Sequence, residues 1–121
     1  MRGDNRGDRP IDRIETFRQA IHTILTEHSQ IPPINGDIEA EIVWDTQNDR
    51  YLLIYLGWTP RGRSYNCVIH FDIKNGKIWI QRNQTEQTLA EALMELGIAR
   101  EEIVLGLKPE SLRQYTGFAI A

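Results

Sequence analysis

The chain has 121 residues, 40% of them hydrophobic and 26% charged, with a formal net charge of −3. This describes one folded globular domain with an ordinary core and excludes a disordered chain. No apolar run is long enough for a membrane helix, and a lone cysteine, Cys67, excludes an internal disulfide and a cysteine zinc cage.

Residues 1–8 have no apolar side chain after Met1 and read as a disordered charged tail, leaving one domain over residues 9–121. With no apolar stretch suited to a secretory signal, a cytoplasmic protein is expected. The doubled Arg-Gly-Asp triplet in this tail (Arg2 to Asp4, Arg6 to Asp8) reads as a coincidence of a solvated segment. Asp8 can cap a helix whose first turn holds Pro10, where a missing N–H costs nothing. Ile11, Ile14, Phe17, Ile21, Ile24, Leu25 and His28 follow at three- and four-residue steps, one apolar stripe along about five turns. Pro32-Pro33 forbids continuation, and Asn35-Gly36 marks a turn.

Alternation then takes over. Ile38, Ala40, Ile42 and Trp44 point one way while Glu39, Glu41, Val43 and Asp45 point the other, as in a half-buried strand. Residues 50–58 form a second strand, apolar on both sides and therefore internal to the sheet. A third strand over residues 63–73 is expected to turn Tyr65, Cys67, Ile69, Phe71 and Ile73 to the core. Asn75-Gly76 is the strongest hairpin signal in the chain and leads into a fourth strand over residues 77–82. The period then changes back. Thr85 is the expected cap of a helix with Leu89, Ala92, Leu93 and Leu96 as its stripe, closed by Gly97 with Ile98 packing back. Residues 101–105 and 109–115 read as further helical turns. The expected architecture is α+β: a long N-terminal helix, a four-stranded antiparallel meander and a helical C-terminal third.

The chain lacks a Gly-rich phosphate loop, a nucleophile elbow and an H-E-x-x-H motif. His22 and His28, six residues apart, do not share a helix face. Cys67 and His70, three apart on a strand, should point to opposite faces, which leaves Cys67 as a small buried core residue. No cofactor or metal is implied. One enzymatic alternative is a metal-dependent nuclease, with Asp72 and Lys74 at a strand end and Glu41 and Asp45 upstream. A second alternative is direct DNA binding. Residues 50–82 carry a net charge of +5, including Arg50, Arg61, Arg63 and Arg82, with Tyr51, Tyr55 and Tyr65 as stacking candidates. Against it, residues 37–49 carry −5 on the neighbouring strand, so acids and bases should face each other across the sheet.

A two-residue turn at Asn75-Gly76 pairs Ile73 with Ile78, Asp72 with Trp79, Phe71 with Ile80 and His70 with Gln81. The face away from the core then shows Val68, His70, Asp72, Trp79 and Gln81. An outward tryptophan beside polar groups needs a cover, supplied by the C-terminal helices or by another chain, either a second copy in a homodimer or a companion protein.

The run His70-Phe71-Asp72-Ile73-Lys74-Asn75-Gly76-Lys77-Ile78-Trp79-Ile80-Gln81, followed by Thr85-Glu86, resembles the signature of the XisI-like family, the fdxN-element excision controlling factors of cyanobacteria. Three further stretches agree in order: Ile31-Pro32-Pro33 with Gly36-Asp37-Ile38-Glu39, then Glu102-Ile103-Val104-Leu105-Gly106, then Arg113-Gln114-Tyr115-Thr116-Gly117-Phe118-Ala119. The resemblance covers about residues 11–121 and finds no counterpart for residues 1–8. It implies an accessory role in excision of a DNA element by a site-specific recombinase, alongside an XisH-like companion protein, and the lack of a convergent acid, base and nucleophile set makes a non-enzymatic role the expectation. It carries over no catalytic residue.

Overall fold

The structure, a computed structural model, describes residues 10–30 and 37–121. The charged tail, the Asp8 cap, the Ile11 side chain, Pro32-Pro33 and the Asn35-Gly36 turn lie outside the described residues or side chains.

Helix α1 (Pro10–Ser29) forms where the apolar stripe predicts it, and the stripe is what it buries. Phe17, Ala20, Ile21, Ile24 and Leu25 lie in one core cluster with Ile14 packed at its edge. Strands β1 (Asp37–Asp45), β2 (Arg50–Thr59), β3 (Gly62–Lys74) and β4 (Lys77–Asn83) follow as an antiparallel meander. Asn75 and Gly76 both take positive φ, 55° and 73°, as the type I′ turn between β3 and β4 requires.

The sheet differs from expectation in having a fifth strand. Ile103 and Val104 form β5 (Ile103–Val104), which runs parallel to β4 and pairs Ile78 with Ile103 and Trp79 with Val104. The chain reaches it by crossing over through α2 (Leu89–Glu95) and a 3₁₀ turn at Arg100–Glu102. The C-terminal third is therefore less helical than its pattern suggests, because two apolar residues are better buried on the open edge of β4 than in a helical turn. A bridge from Val104 to Ala119 continues the edge, and a single helical turn, α3 (Glu110–Arg113), lies between.

The cap of α2 also moves. Thr85 is spent in the preceding loop, where Asn83 Oδ1 accepts from its amide and hydroxyl at 2.8 and 2.7 Å. Thr88 occupies the cap position instead, without a side-chain cap bond, and Leu96 ends up exposed. The helix closes as expected, with Gly97 N–H donating to the Met94 carbonyl and Ile98 N–H to that of Leu93.

Two bulges set the phase of the sheet. Leu53 opposes Ile69 but Ile54 opposes Cys67, so Val68 is an extra residue on β3. His70 opposes Arg82 while Phe71 opposes Ile80, so Gln81 is extra on β4 and the expected His70–Gln81 pair does not form. Beyond the first bulge the inside–outside order of β3 inverts. Ile69, Phe71 and Ile73 face the core, whereas Cys67 and Tyr65 share rows with Ile54 and Leu56 on the opposite face. Tyr65 is 61% exposed, and Val68 is drawn into the core cluster. The same inversion brings Cys67 and His70 onto one face, contrary to the simple alternation.

Polar ties pin α1 to the sheet. Asp49 accepts from Arg18 Nη2 at 2.9 Å and from the Tyr51 hydroxyl at 2.5 Å. Burial and the Asp49 carboxylate push the Tyr51 phenol up to about 12. At the other end Tyr55 donates to the His28 carbonyl at 2.8 Å. Near the helix start Arg13 binds Glu102 through Nε at 2.9 Å and through Nη2. Burial raises the Glu102 carboxyl, but the Arg13 guanidinium and the Ala99 amide outweigh it and hold the carboxyl below its ordinary 4.5.

A depressed carboxyl contributes stability above its unfolded value and loses it as pH falls through the folded one. Wild type should therefore gain stability over Glu102→Gln above pH 4.5, with the difference shrinking at more acid pH. Urea midpoints of both proteins across pH 3–7 would check this; parallel curves would contradict it. A second expectation concerns Gly57, where φ is +152° and a Cβ would stand 1.8 Å from the Asp37 carbonyl oxygen on β1. Gly57→Ala should cost about 2 kcal/mol or more by parting the first two strands, measured by denaturant unfolding.

Candidate functional site

Both α1 and α2 lie on one face of the sheet, where Tyr51, Leu53, Ile69, Phe71, Ile78 and Ile80 meet Phe17, Ile21 and Leu93. The other face receives no helix over β1 to β3 among the described residues. Down the middle of this outer face run Leu52, Ile54 and Leu56, alternate residues of β2. Ile54 is buried but stands outside the core cluster, screened by its strand neighbours Glu41 and Cys67. Val43 at 40%, Trp58 at 59% and Tyr65 at 61% exposure extend the apolar surface around it. The apolar side chains on both faces of β2, which mark an internal strand, thus meet a cover on one face only.

Charge divides the same face. β1 contributes Glu39 and Glu41, both exposed, opposite Leu56 and Ile54. Arg63 and Arg82 stand exposed on β3 and β4. Arg63 lies over the Trp58 ring at 5.5 Å, and Arg82 donates to the Cys67 carbonyl at 2.6 Å. The expected facing of acids and bases across strands holds for one row, where Arg50 opposes Asp45 on β1 and Asp72 on β3. The four candidate DNA-binding arginines are not neighbours. Arg50 starts β2, while Arg61 and Arg63 sit at and beyond its far end, roughly 25 Å away at strand rise. Asp45 and Asp72 flank Arg50, and the apolar column of β2 separates it from Arg61 and Arg63.

The candidate partner residues separate into two groups. His70, Asp72 and Gln81 form a polar set on the outer face, with His70 Nε2 2.8 Å from Asp72 Oδ1 and Gln81 donating to Asp72 Oδ2 at 3.2 Å. Trp79 belongs to this face but is only 7% exposed. Its cover comes from within the chain. Lys74 Nζ lies 4.0 Å and Arg113 5.1 Å from its ring centre, and Gly106 passes so close that a Cβ there would sit 3.1 Å from the ring. Arg113 in turn donates to the Lys108 and Ile120 carbonyls, tying the C-terminal segment in place. Val68, expected beside them, is in the core instead.

The nuclease candidates are similarly engaged. Asp72 spends both oxygens on His70 and Gln81, Lys74 rests on Trp79, and Arg50 stands between Asp72 and Asp45. No cluster of three or more metal-binding side chains occurs among the described residues. Cys67 donates to the Ile69 carbonyl at 3.4 Å, and burial pushes its thiol up, away from the reactive thiolate. The column Leu52, Ile54 and Leu56 escaped the sequence reading as a surface. Its signal was present, since a strand apolar on both sides requires two covers, and the chain has one long helix.

The family described as XisI protein matches residues 11–120. Two solved structures are similar over nearly the whole chain. A XisI-like protein from Anabaena variabilis is 35% identical and superposes with a TM-score of 0.78, covering 93% of this chain and 100% of its own. The fdxN element excision controlling factor XisI from Anabaena variabilis is 29% identical with the same TM-score, 0.78, covering 91% of this chain and 100% of its own. None of the curated proteins compared with the chain matches it. The order of elements, the match along 11–120 and the full coverage of both structures agree: the chain belongs to the XisI protein family.

Proposed function

We propose that this protein is a non-enzymatic accessory factor in the excision of a DNA element, working through protein contacts made by its outer sheet face. The observation that carries this reading is the part-buried apolar column of β2, over which no helix lies among the described residues, with Trp58 and Tyr65 exposed beside it. Large exposed aromatics around a desolvated apolar centre are the anatomy of a protein interface. The partners are an XisH-like companion protein and, through it, the recombinase that cuts the element; DNA is reached indirectly. The control of excision named for the Anabaena relative supports the setting, and the dispersal of Arg50, Arg61, Arg63 and Arg82 among acids supports indirect contact.

Two outcomes test it. Co-expressed with the companion encoded beside it, the wild-type chain should co-purify as a complex, and Leu56→Arg should lose that complex while keeping its circular dichroism. A buried interface anchor is worth about 2 kcal/mol, roughly thirtyfold in affinity. Trp79→Ala should instead lower the melting temperature, since its ring is packed inside the chain. Undiminished capture by Leu56→Arg would sink the outer-face reading. Separately, supercoiled plasmid incubated with the protein and Mg²⁺ or Mn²⁺ should stay intact. Nicking that vanishes in Asp72→Ala would make the nuclease alternative the correct one.

A further inference from the structure

We infer that the free edge of β1, with the cleft on its helix side, takes an added strand: an extended segment of a partner protein, basic on one side and apolar on the other, whose aromatic side chain enters the cleft beside Trp44. The inference concerns the sheet edge and holds apart from what covers the outer face. A long open edge, an incomplete inner cover and the charge along the strand carry it.

The two edges of the sheet are built differently. One ends on β5, two residues long and continued by the bridge to Ala119, so it presents little free backbone. The other is β1, nine residues long and unpaired on its far side among the described residues. Every second residue of such a strand turns its N–H and C=O outward, ready to pair with another chain. Proteins blunt open edges with proline, lysine, a bulge or a very short strand. β1 has no proline or lysine, and its register with β2 runs from Asp37 to Asp45 without a shift. Its remaining device is charge. Glu39 and Glu41 stand exposed, with Leu56 and Ile54 opposite them on β2. Carboxylates there repel a second β1 and favour a basic strand.

The inner side of β1 is only partly covered. Ala40 and Ile42 pack at the margin of the core cluster rather than within it, and Trp44 is 38% exposed. The Trp44 ring lies 4.3 Å from that of Tyr51 and meets His22 nearly at right angles, 5.4 Å between centres. Beside it a cleft of about 520 Å³ opens between β1 and α1, with Gln19 and Thr46 in its walls. The guanidinium in this cleft is spent: Arg18 donates to Asp49 through Nε and Nη2 at 3.1 and 2.9 Å, and its Nη1 stands 3.7 Å from Glu15. A cleft with its charges matched and two rings in its wall suits a flat uncharged side chain. In an added strand the residue beside Trp44 points to the same side of the sheet, which is into this cleft. Residues beside Ala40 and Ile42 complete the inner cover, and those beside Glu39 and Glu41 lie on the outer side and are the basic ones. The backbone ladder supplies affinity, and this alternation supplies specificity.

Fluorescence anisotropy of a labelled peptide against the full chain tests this. The probe matches β1 in length and alternates lysine with valine, with tyrosine as the first and last of the valine series. It should bind saturably, one per chain, and slow amide exchange along β1 but not at β5. Two further peptides carry backbone N-methyl groups, one on its lysines and the other on its apolar residues. The peptide that turns its methyls toward β1 should bind tenfold or more weakly, and the other should keep its affinity. The double variant Glu39→Lys with Glu41→Lys should also weaken binding tenfold or more. Trp44→Ala should remove the advantage of the tyrosine peptide over an all-valine one, with circular dichroism keeping loss of folding apart from loss of binding. Equal binding by both N-methylated peptides would show charge attraction without a ladder and overturn the inference. So would undiminished binding by the double lysine variant, or no binding of the unmodified probe at submillimolar concentration. No companion protein enters the experiment, so its result stands apart from the outer-face reading.

Discussion

A single apolar stripe has to serve a sheet with two apolar faces. Phe17, Ile21, Ile24 and Leu25 on α1 are fully or almost fully buried against Tyr51, Leu53, Ile69 and Phe71. Burying four such side chains contributes on the order of 6–12 kcal/mol, comparable to the whole net stability of a small domain. The helix can lie on one face only, so the remaining apolar residues of β2 are left to the outer surface. The placement of the C-terminal segment follows from the same shortage. It reaches round the β4 edge to cover Trp79, and among the described residues no helix lies over the outer face of β1 to β3.

Much of this was legible in the sequence, and the illegible parts have a common cause. The stripe of α1, the four antiparallel strands and the Asn75-Gly76 hairpin follow from local periodicity and turn chemistry, which are properties of adjacent residues. The bulges at Val68 and Gln81 are not. A bulge is decided by the register of two strands against each other, and nothing in Asn66-Cys67-Val68-Ile69 announces that the alternation slips there. Everything upstream on β3 consequently changed face, moving Tyr65 and Cys67 from the expected core to the outer surface. β5 was hidden for a related reason. Two apolar residues carry no periodicity, and only the open edge of β4 makes them a strand.

The candidate surface shows the same division. An outward Trp79 was readable from hairpin register, but which chain covers it depended on where Gly106 and Arg113 come to rest. The alternation of charge along the chain was readable too. Its meaning changes in three dimensions, because the acidic and basic stretches become opposite margins of one surface. Cross-strand neutralisation, the reading suggested by the sequence, operates only where Arg50 lies between Asp45 and Asp72. Elsewhere Glu39 and Glu41 on β1 stand exposed opposite Leu56 and Ile54, with no base across from them.

The short parallel strand has a consequence for the order in which the molecule comes apart. β1 to β4 are joined by tight turns and are seven to thirteen residues long, so their contacts are local and numerous. β5 holds on by two residue pairs, and the segment beyond it by one bridge, the Leu107 N–H bond to the Ile80 carbonyl and a few side-chain bonds. Cooperative units with few buried contacts open below the free energy of global unfolding. The C-terminal segment is expected to be such a unit, with amide hydrogens at Leu107 and Ala119 exchanging ahead of those in the meander. Such an opening would bare Trp79 beside His70 and Asp72 and enlarge the apolar area of that face while the hairpins beneath it stay intact.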